Sequence, residues 1–263
     1  MPRSDEPFPP GTVWLVGAGP GDPELLTRKA ERLLRAADII FHDALVGPCV
    51  LDLVPAHVER VSVGKRSGRH SRDQVGINQL LLEAARSGRR VVRLKGGDPS
   101  IFGRSAEEIA HLVGAGIAVR ICPGVTAASA AAASGGVSLT LRGLARGLTL
   151  VTAHARAGEA LSLNWRALVA SGATLGVYMG RAAAAEVSRS LIVAGMAADT
   201  PVVVAINVSL PTERLIRGRL SALAFLVRAI SDDDPTLMLI GEAVADGAGI
   251  SADTPARLFG HSR

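Results

Sequence analysis

The sequence predicts an α/β protein with two domains and mainly parallel sheets. Two observations carry this prediction: short buried-strand patterns alternate with amphipathic helix patterns, and glycine-rich turns follow two of the predicted strands. Alternation of this kind is typical of parallel strands joined by crossover helices. The chain has 263 residues and is longer than one ordinary domain of about 150 residues. We expect domains over residues 11–123 and 124–245, with tails at 1–10 and 246–263.

The first strand and helix are predicted on either side of a glycine-rich turn. Residues 12–16 form an apolar run of strand length, and residues 17–21 contain three glycines and one proline. Asp22 fits the N-cap of a helix and Pro23 fits its first position. We therefore predict that a helix begins at Pro23. A second strand is predicted at 38–41, just before Asp43.

The remaining elements follow from the same periodicities. We predict a helix over 77–85 and a strand over 91–94, and Ser105 with Glu108 has the spacing of a capping box for the next helix. Residues 126–136 are almost all small, which indicates a tightly packed helix or a backbone that approaches a ligand. Further strand and helix patterns occur at 119–122, 148–152, 165–171, 174–179, 182–194, 202–206, 220–230 and 237–240.

The composition excludes several classes of protein. With 48% apolar and 20% charged residues, the chain is neither disordered nor collagen-like. No apolar stretch approaches the roughly 18 residues of a membrane span, and the first residues lack the apolar core of a signal peptide. We expect a cytoplasmic protein that does not bind membranes. Cys49 and Cys122 are predicted to be buried free thiols, with neither a disulfide nor a metal site.

The positive charge is unevenly distributed. The net charge is +5, yet residues 60–95 alone carry ten basic residues against two acidic ones. Arginine accounts for 26 of the 29 basic residues, and its planar fork pairs with carboxylate or phosphate. Codon bias toward arginine is the alternative explanation. Because the basic segment has no aromatic residue on which a base could stack, an anionic small molecule is favoured over nucleic acid.

Two glycine-rich turns are the first functional signal. Gly17 and Gly19 invite a dinucleotide-binding interpretation with Asp43 as the ribose-binding acid, but Asp22 stands where the third glycine is required. An acidic cap would also repel a pyrophosphate from the helix N-terminus. The second turn, residues 96–99, also follows a strand, and in a parallel sheet both turns lie at the edge where ligands bind. A ligand without phosphate fits better, although both turns could be purely structural.

The motifs of the chain extend this signal over most of its length. The longest are VGAGPGDPELLT at 16–27, RLKGGDP at 93–99 and PGVTAA at 123–128, and shorter ones lie at 42–46, 63–66, 69–71, 101–104, 178–180 and 240–242. In these motifs, in order over residues 12–245, the chain resembles the tetrapyrrole methylases. The segments at 63–66 and 69–71 resemble the branch that methylates uroporphyrinogen III.

The resemblance implies an activity and a place for it. The implied reaction is two successive methyl transfers from S-adenosylmethionine to ring carbons of uroporphyrinogen III, giving precorrin-2, without a metal. It also implies an active site in the cleft between two α/β domains and a homodimer. The eight carboxylates of the acceptor suit an arginine-rich site. The alternatives are another precorrin methylase of the corrin pathway and a Rossmann-type NAD-dependent oxidoreductase.

The resemblance also assigns roles to individual residues. Asp43 is implied as a proton acceptor and Lys65 as a proton donor, while Arg104, Glu107, Arg142 and His154 are implied to handle the substrate and protons. The implied donor site is lined by Pro20, Gly96, Gly97, Asp98, Ile101, Thr126, Ala127, Met179 and Val208. Each has a simpler interpretation: Asp43 could cap a turn, Lys65 could be solvated, Met179 and His154 could be core residues, and Glu107 could serve the helix dipole.

Five positions depart from the pattern of the family. Ser100 replaces an aromatic residue, Leu141 a histidine, Ala153 a glycine, Ser134 a tyrosine and Val208 a glycine. The first four changes are expected to reshape the tetrapyrrole pocket, whereas a backbone contact at Val208 could survive. They bear on the relative rates of the two methylations more than on the type of reaction.

Overall fold

The computed structural model describes residues 7–64, 74–153 and 161–245, which form two compact units. The first unit runs to Ala127 and also includes Ser209–Pro211, and the second comprises Ala128–Val208 and the chain from Thr212. The domain limits expected from the sequence stay a prediction. Within the described ranges, no helix is both long and apolar enough to cross a membrane.

The first unit is built on a parallel sheet, as predicted. Its described strands are β1 (Val13–Gly17), β2 (Ile39–His42), β3 (Glu59–Ser62), β4 (Val91–Lys95) and β5 (Val119–Cys122). They lie in the order β3-β2-β4-β1-β5, and every pairing is parallel. The helices of this unit are α1 (Arg28–Ala36), α2 (Pro48–Asp52), α3 (Gln74–Arg86) and α4 (Ser105–Gly114). The short elements β3 and α2 were not predicted.

The interior position of strand β1, between β4 and β5, explains why its sequence is continuously apolar. All five of its residues are buried, because helices cover both faces of the sheet. Trp14 and Val16 join one apolar cluster with residues of α1, whereas Val13 and Leu15 join another with residues of α3. Alternate side chains of a strand point to opposite faces, so the two cores are separated by the sheet itself.

The chain after the first turn differs from the prediction. Asp22 does act as a cap, and its carboxylate accepts a hydrogen bond from the Glu24 amide, but the capped element is a 3₁₀ turn, Pro23–Leu25. Leu26 returns to extended backbone and ends that turn. Helix α1 begins only after Thr27, whose hydroxyl accepts a hydrogen bond from the Ala30 amide. A second cap therefore restarts the helix five residues later than predicted.

The second unit contains a mixed sheet rather than a mainly parallel one. Its described helices are α5 (Ala127–Ser134), α6 (Trp165–Ala170), α7 (Ala184–Val193) and α8 (Leu223–Leu226), and its strands are β6 (Leu148–Thr152), β7 (Thr174–Tyr178), β8 (Pro201–Ile206), β9 (Arg214–Arg219) and β10 (Thr236–Ile240). The order is β6-β7-β10-β8-β9, and only the β6–β7 pairing among these described strands is parallel. The α/β class is confirmed. The strand directions differ because a short connection without a helix joins β8 to β9, and such a connection favours antiparallel pairing.

Strand β9 was missed because its sequence is basic. Its side chains are exposed or half-buried, and it lies at the edge of the sheet next to β8. Arginine on an edge strand discourages pairing with another chain. The three arginines at 214, 217 and 219 therefore mark a protected edge, although they conceal the usual alternation of a strand.

The two cysteines differ in environment, which corrects one prediction. Cys122 is fully buried at the end of β5, where its thiol lies 3.6 Å from the Thr27 hydroxyl, but Cys49 is exposed in α2. Burial raises the pKa of the Cys122 thiol because it disfavours the thiolate, and the bond to Thr27 opposes this only in part.

We predict that one thiol of the native protein reacts rapidly with a disulfide reagent such as 5,5′-dithiobis(2-nitrobenzoate). Thiolate is the reactive form, so exposed Cys49 should react first and Cys122 only on unfolding. Cys49→Ser should remove the fast phase and leave the slow one. Two fast thiols in the native parent would contradict the burial of Cys122.

Candidate active site

The loops after β1, β4 and β5 meet at the carboxyl edge of the first sheet. A Cβ atom on Gly17 would lie 2.6 Å from the backbone N and Cα of Gly124 and 2.7 Å from the carbonyl oxygen of Gly97. Gly19 and Gly97 exchange backbone hydrogen bonds of 3.2 and 2.7 Å. The two glycine-rich turns are thus joined to each other, and no side chain fits at Gly17.

Asp98 fixes the second turn to the loop after β5. One carboxylate oxygen accepts a 2.7 Å hydrogen bond from the Ser100 amide, and the other accepts a 2.9 Å bond from the Gly124 amide. The Ile101 amide donates to the Asp98 carbonyl oxygen at 3.1 Å. In contrast, a Cβ atom on Gly97 would contact nothing within 4 Å, so the turn presents bare backbone on that side. A ligand can therefore approach this backbone closely.

The first turn does not form a phosphate site. The Asp22 carboxylate already accepts the Glu24 amide at 2.8 Å, and the capped 3₁₀ turn is only three residues long. The Asp22 amide in turn donates to the Ser209 hydroxyl at 2.9 Å. An amide and a carboxylate that are both engaged, with a negative charge at the turn, do not suit a pyrophosphate. Pro20 lies half-buried within this turn.

Asp43 lies at the same edge, directly after β2. One of its oxygens accepts a 3.1 Å hydrogen bond from the Leu45 amide, and the other lies 3.7 Å from a terminal nitrogen of Arg93. Asp43 thus does cap its turn, but it also contacts a cation. A Cβ atom on Gly96 would lie 2.7 Å from the Cβ of Leu45, which joins this loop to the second glycine turn. The loop of Asp43 and residues 96–98 therefore form one surface.

Lys65 follows Gly64, the last described residue after β3. A Cβ atom on Gly64 would overlap the backbone nitrogen of Ala44. The backbone at Gly64 therefore packs directly against the loop that carries Asp43. Lys65 itself lies outside the described residues, and so does His154. Their implied roles stay predictions.

A buried group of charges lies behind Asp43 and was not predicted. Glu108 in α4 accepts a 3.1 Å hydrogen bond from Arg93 Nε on one oxygen and a 2.8 Å bond from Lys95 Nζ on the other. Arg93 and Lys95 are each only 4% exposed, and Glu108 is 0% exposed. Burial and the neighbouring Arg93 lower the pKa of Lys95, whereas Glu108 raises it. The sequence did contain a signal for this group, since two cations in an otherwise apolar strand require a buried counter-charge.

This arrangement corrects the predicted capping box. Ser105 is the first residue of α4, its hydroxyl donates to the Pro99 carbonyl oxygen, and the Glu108 side chain points to the cations instead of the helix end. The N-cap position belongs to Arg104, which has left-handed backbone and no capping side-chain bond. Phe102 is left-handed as well. Left-handed backbone at two non-glycine residues is unusual and is enriched at functional sites.

Arg104 and Glu107 form an ion pair at the surface. Both Arg104 Nε and a terminal nitrogen bind the Glu107 carboxylate, at 2.8 and 2.7 Å. These hydrogen bonds raise the pKa of Arg104 and lower that of Glu107. The pair is more than half exposed, so water screens it and it contributes little to stability. Arg104 can therefore exchange Glu107 for another carboxylate at little cost.

The other predicted site residues lie where the second unit begins or within it. Thr126 and Ala127 end the first unit at the start of α5, and the Ala128 amide donates to the Tyr178 hydroxyl within the second unit. Met179 follows β7 with left-handed backbone and is half exposed. Val208 is buried after β8. Arg142 is exposed in a tight loop closed by paired backbone bonds between Leu141 and Ala145.

Comparison with known proteins gives one consistent family. The model of the Tetrapyrrole (Corrin/Porphyrin) Methylases matches residues 12–224. Uroporphyrinogen-III C-methyltransferases of Pseudomonas aeruginosa and Paracoccus denitrificans are 48% and 47% identical over 90% and 89% of this chain, and over 95% and 82% of their own lengths. The chain spans about half the length of the siroheme synthases it matches, such as that of Gluconacetobacter diazotrophicus, 44% identical over 89% of this chain.

Solved structures agree with this family. Uroporphyrin-III C-methyltransferase of Thermus thermophilus, complexed with S-adenyl homocysteine, has a TM-score of 0.76 and 39% identity, covering 89% of this chain and 94% of that one. A cobalt precorrin-4 methyltransferase has a TM-score of 0.79 and 28% identity, covering 89% and 96%. These relatives do not support the oxidoreductase alternative, in agreement with the acidic cap at Asp22.

We predict that Gly17→Ala destabilises the protein by about 1–3 kcal/mol, since its methyl group would meet the rigid backbone of Gly124 and Gly97. Gly114→Ala is the matched control, because its Cβ atom would enter open space at the end of α4. The control should be neutral or up to about 1 kcal/mol more stable. Urea denaturation measures both, and equal stability of the two variants would contradict the close approach at Gly17.

Proposed function

Because the chain belongs to the tetrapyrrole (corrin/porphyrin) methylases, we propose that it transfers methyl groups from S-adenosylmethionine to two ring carbons of uroporphyrinogen III, giving precorrin-2. The observation that carries this proposal is the edge of the first sheet, where the bare turn at Gly97 adjoins the loop of Asp43. One backbone surface can thus hold a methyl donor next to a group that accepts a proton.

The choice of substrate within the family rests on sequence. The cobalt precorrin-4 methyltransferase is as similar in fold as the Thermus thermophilus enzyme, but its identity is only 28%. Relatives named for uroporphyrinogen III reach 47–48%. Fold likeness is therefore common to the family, whereas residue identity favours the methylase that acts first. A different precorrin as substrate is the alternative.

The donor site in this proposal is formed by bare backbone and small or apolar side chains. S-adenosylmethionine supplies an electrophilic methyl group on a sulfonium and carries no phosphate. The residues fit such a molecule, since Gly97 leaves open space and Asp22 excludes a phosphate cradle. In the first unit, Pro20, Gly96, Gly97, Asp98 and Ile101 would hold the donor, with Thr126 and Ala127 at the end of that unit. For Met179 and Val208, in the second unit, a donor-binding role rests on the resemblance alone.

The acid-base step is assigned to Asp43 and Lys65. As the methyl group bonds to a ring carbon, the sulfur keeps its bonding electron pair and the alkylated ring must lose a proton. Asp43 has one oxygen on the Leu45 amide and the other facing Arg93, so its carboxylate is held in one orientation. A fixed base within reach of the ring removes that proton efficiently. Lys65 would return protons.

The carboxylates of the substrate are assigned to arginine and histidine side chains. Arg104 is the best-supported of these, because its fork is already shaped around the Glu107 carboxylate. Glu107 would keep the Arg104 side chain in place until a substrate carboxylate replaces Glu107 as its partner. Arg142 is exposed and suited to the same task, and His154 would complete the group.

Three finer points extend the proposal. We infer action in the cytoplasm and as a homodimer, without a metal, nucleic acid or membrane as partner.

We predict that the protein adds two methyl groups to enzymatically generated uroporphyrinogen III when S-adenosylmethionine is present. Mass spectrometry of the tetrapyrrole product checks this, with boiled enzyme as control. Calorimetry should detect binding of S-adenosylhomocysteine and no binding of NAD. Methylation of a later precorrin but not of uroporphyrinogen III would favour the alternative substrate.

We predict that Arg104→Lys lowers turnover roughly ten- to a hundredfold, because lysine keeps the charge but loses the fork, and a charged hydrogen bond is worth about 1.5–3 kcal/mol. Steady-state kinetics with saturating donor measures the loss. Binding of S-adenosylhomocysteine should stay at the parental level.

Arg35→Lys is the matched control for this experiment. Arg35 pairs with Glu31 at 2.7 Å, and its side chain is 59% exposed, the same fraction as that of Arg104. Because α1 carries no proposed site residue, turnover of the control should equal that of the parent. Parental turnover in Arg104→Lys would overturn the assignment.

A further inference from the structure

The buried charges behind Asp43 require an explanation that stability does not provide. Moving a carboxylate and two cations out of water costs several kcal/mol per ion, and apolar side chains in their place are often equally stabilising or better. Yet Glu108, Arg93 and Lys95 are all buried in the first unit. The carboxylate of Asp43, 23% exposed, is the fourth member of the group and balances its charge.

The hydrogen bonds of Arg93 show what the group holds in place. Its Nε donates to Glu108 at 3.1 Å, and one terminal nitrogen donates to the carbonyl oxygens of Leu94 and Phe41 at 3.0 and 3.4 Å. The other terminal nitrogen faces Asp43 at 3.7 Å. The planar guanidinium is therefore fixed along two edges, and its third direction points at the carboxylate assigned to proton removal.

We propose that Glu108 is a positioning residue: it fixes Arg93, and Arg93 in turn fixes the Asp43 carboxylate. This rests on the proposed function, in which Asp43 accepts a proton. Glu108 is suited to the task because α4 and strand β4 meet at its side chain, deep below the sheet edge. It is fully buried and bonded to Arg93, Lys95 and, at 3.4 Å, Gln74, so its effect on Asp43 passes through Arg93.

The second oxygen of Glu108 serves the neighbouring loop. It binds Lys95, whose Cε would lie 3.0 Å from a Cβ atom on Gly103, the residue between Phe102 and Arg104. Lys95 thus packs directly below the loop that carries Arg104. One buried carboxylate therefore binds two cations, one on each side of the site.

Replacing Glu108 by glutamine separates positioning from simple packing. The amide has nearly the same shape but only one acceptor oxygen, so its NH₂ group must face either Arg93 or Lys95. Adding Lys95→Met removes the conflict, because the amide oxygen can then accept Arg93 Nε while methionine fills the space of lysine. The double variant thus restores the hold on Arg93 without restoring the charge of Glu108.

We expect Glu108→Gln to lower kcat at least tenfold while the KM for S-adenosylmethionine stays within twofold of the parent. Glu108→Gln/Lys95→Met should regain at least half of that loss on a logarithmic scale. Glu31→Gln, which removes another arginine-paired carboxylate, should have parental kinetics. Either a kcat of Glu108→Gln within twofold of the parent, or a folded double variant as slow as the single one, would overturn the proposal.

A denaturation cycle tests the same coupling without activity. In the parent, Asp43 shares Arg93 with Glu108, but in Glu108→Gln it is the sole carboxylate among the described residues that faces this cation. Asp43→Asn should therefore shift the urea midpoint further in Glu108→Gln than in the parent. In the control cycle, the midpoint shift of the Asp43→Asn/Glu31→Gln double variant should equal the sum of the two single shifts. Should Glu108→Gln alone not fold, the double variant takes its place.

The cycle also distinguishes two kinds of failure. If the shifts of Asp43→Asn and Glu108→Gln are not additive but the parent methylates no tetrapyrrole, the proposed function fails and the coupling stands. If the parent is active and the shifts add, the positioning role is overturned.

Discussion

The first unit depends on the close approach of backbone at Gly17. The end of strand β1 lies so near the loops after β4 and β5 that even a methyl group has no space. This approach lets Gly19 and Gly97 exchange hydrogen bonds, and it places the Gly124 amide within reach of Asp98. Three loops from separate parts of the chain thereby become one surface, and the bare backbone of Gly97 is left facing outward. The loop that carries Asp43 adjoins this surface, because Leu45 packs beside Gly96.

Charge in this protein is better understood from pairing than from counting. Residues 60–95 carry a large excess of basic side chains, but the structure buries Arg93 and Lys95 against Glu108, and Arg89 and Arg90 pair with Glu59 and Asp38. Much of the described charge in that segment is therefore neutralised within the unit. The arginines suited to an anionic substrate, Arg104 and Arg142, lie outside the segment that looked most basic.

More of the strands and helices of the first unit than of the second could be predicted from the sequence. Apolar runs placed β1 and β4 correctly because both faces of a parallel strand are buried, and the glycine turns after them met as predicted. Strand β9 was not predicted because the residues of an exposed edge strand need not be apolar. The direction of the later strands was wrong because a helix-free connection, not residue pattern, decides it. Helix α1 began late because Thr27 offered a second cap.

Candidate site residues were recognisable in the sequence where a motif contains them and hidden where only packing brings them together. The glycine turns, Asp43 and Arg104 stand in recognisable motifs at strand ends. Glu108 does not, because its spacing from Ser105 fits a capping box equally well, and only the fold shows that its partners are Arg93 and Lys95 on the neighbouring strand. Similarly, nothing in the spacing of Cys49 distinguishes an exposed thiol from a buried one.

The hydrogen bond between Asp22 and Ser209 has a consequence for synthesis of the chain. These residues are 187 positions apart, yet Ser209–Pro211 belongs to the first unit, and Leu210 occupies the space beside Gly21. A nascent chain that has emerged only as far as β8 already contains every strand of the first sheet. It still lacks the serine and leucine that hold the turn at residues 20–22. The scaffold can therefore assemble early on the ribosome, whereas the turn at residues 20–22 is completed only when most of the protein has been translated.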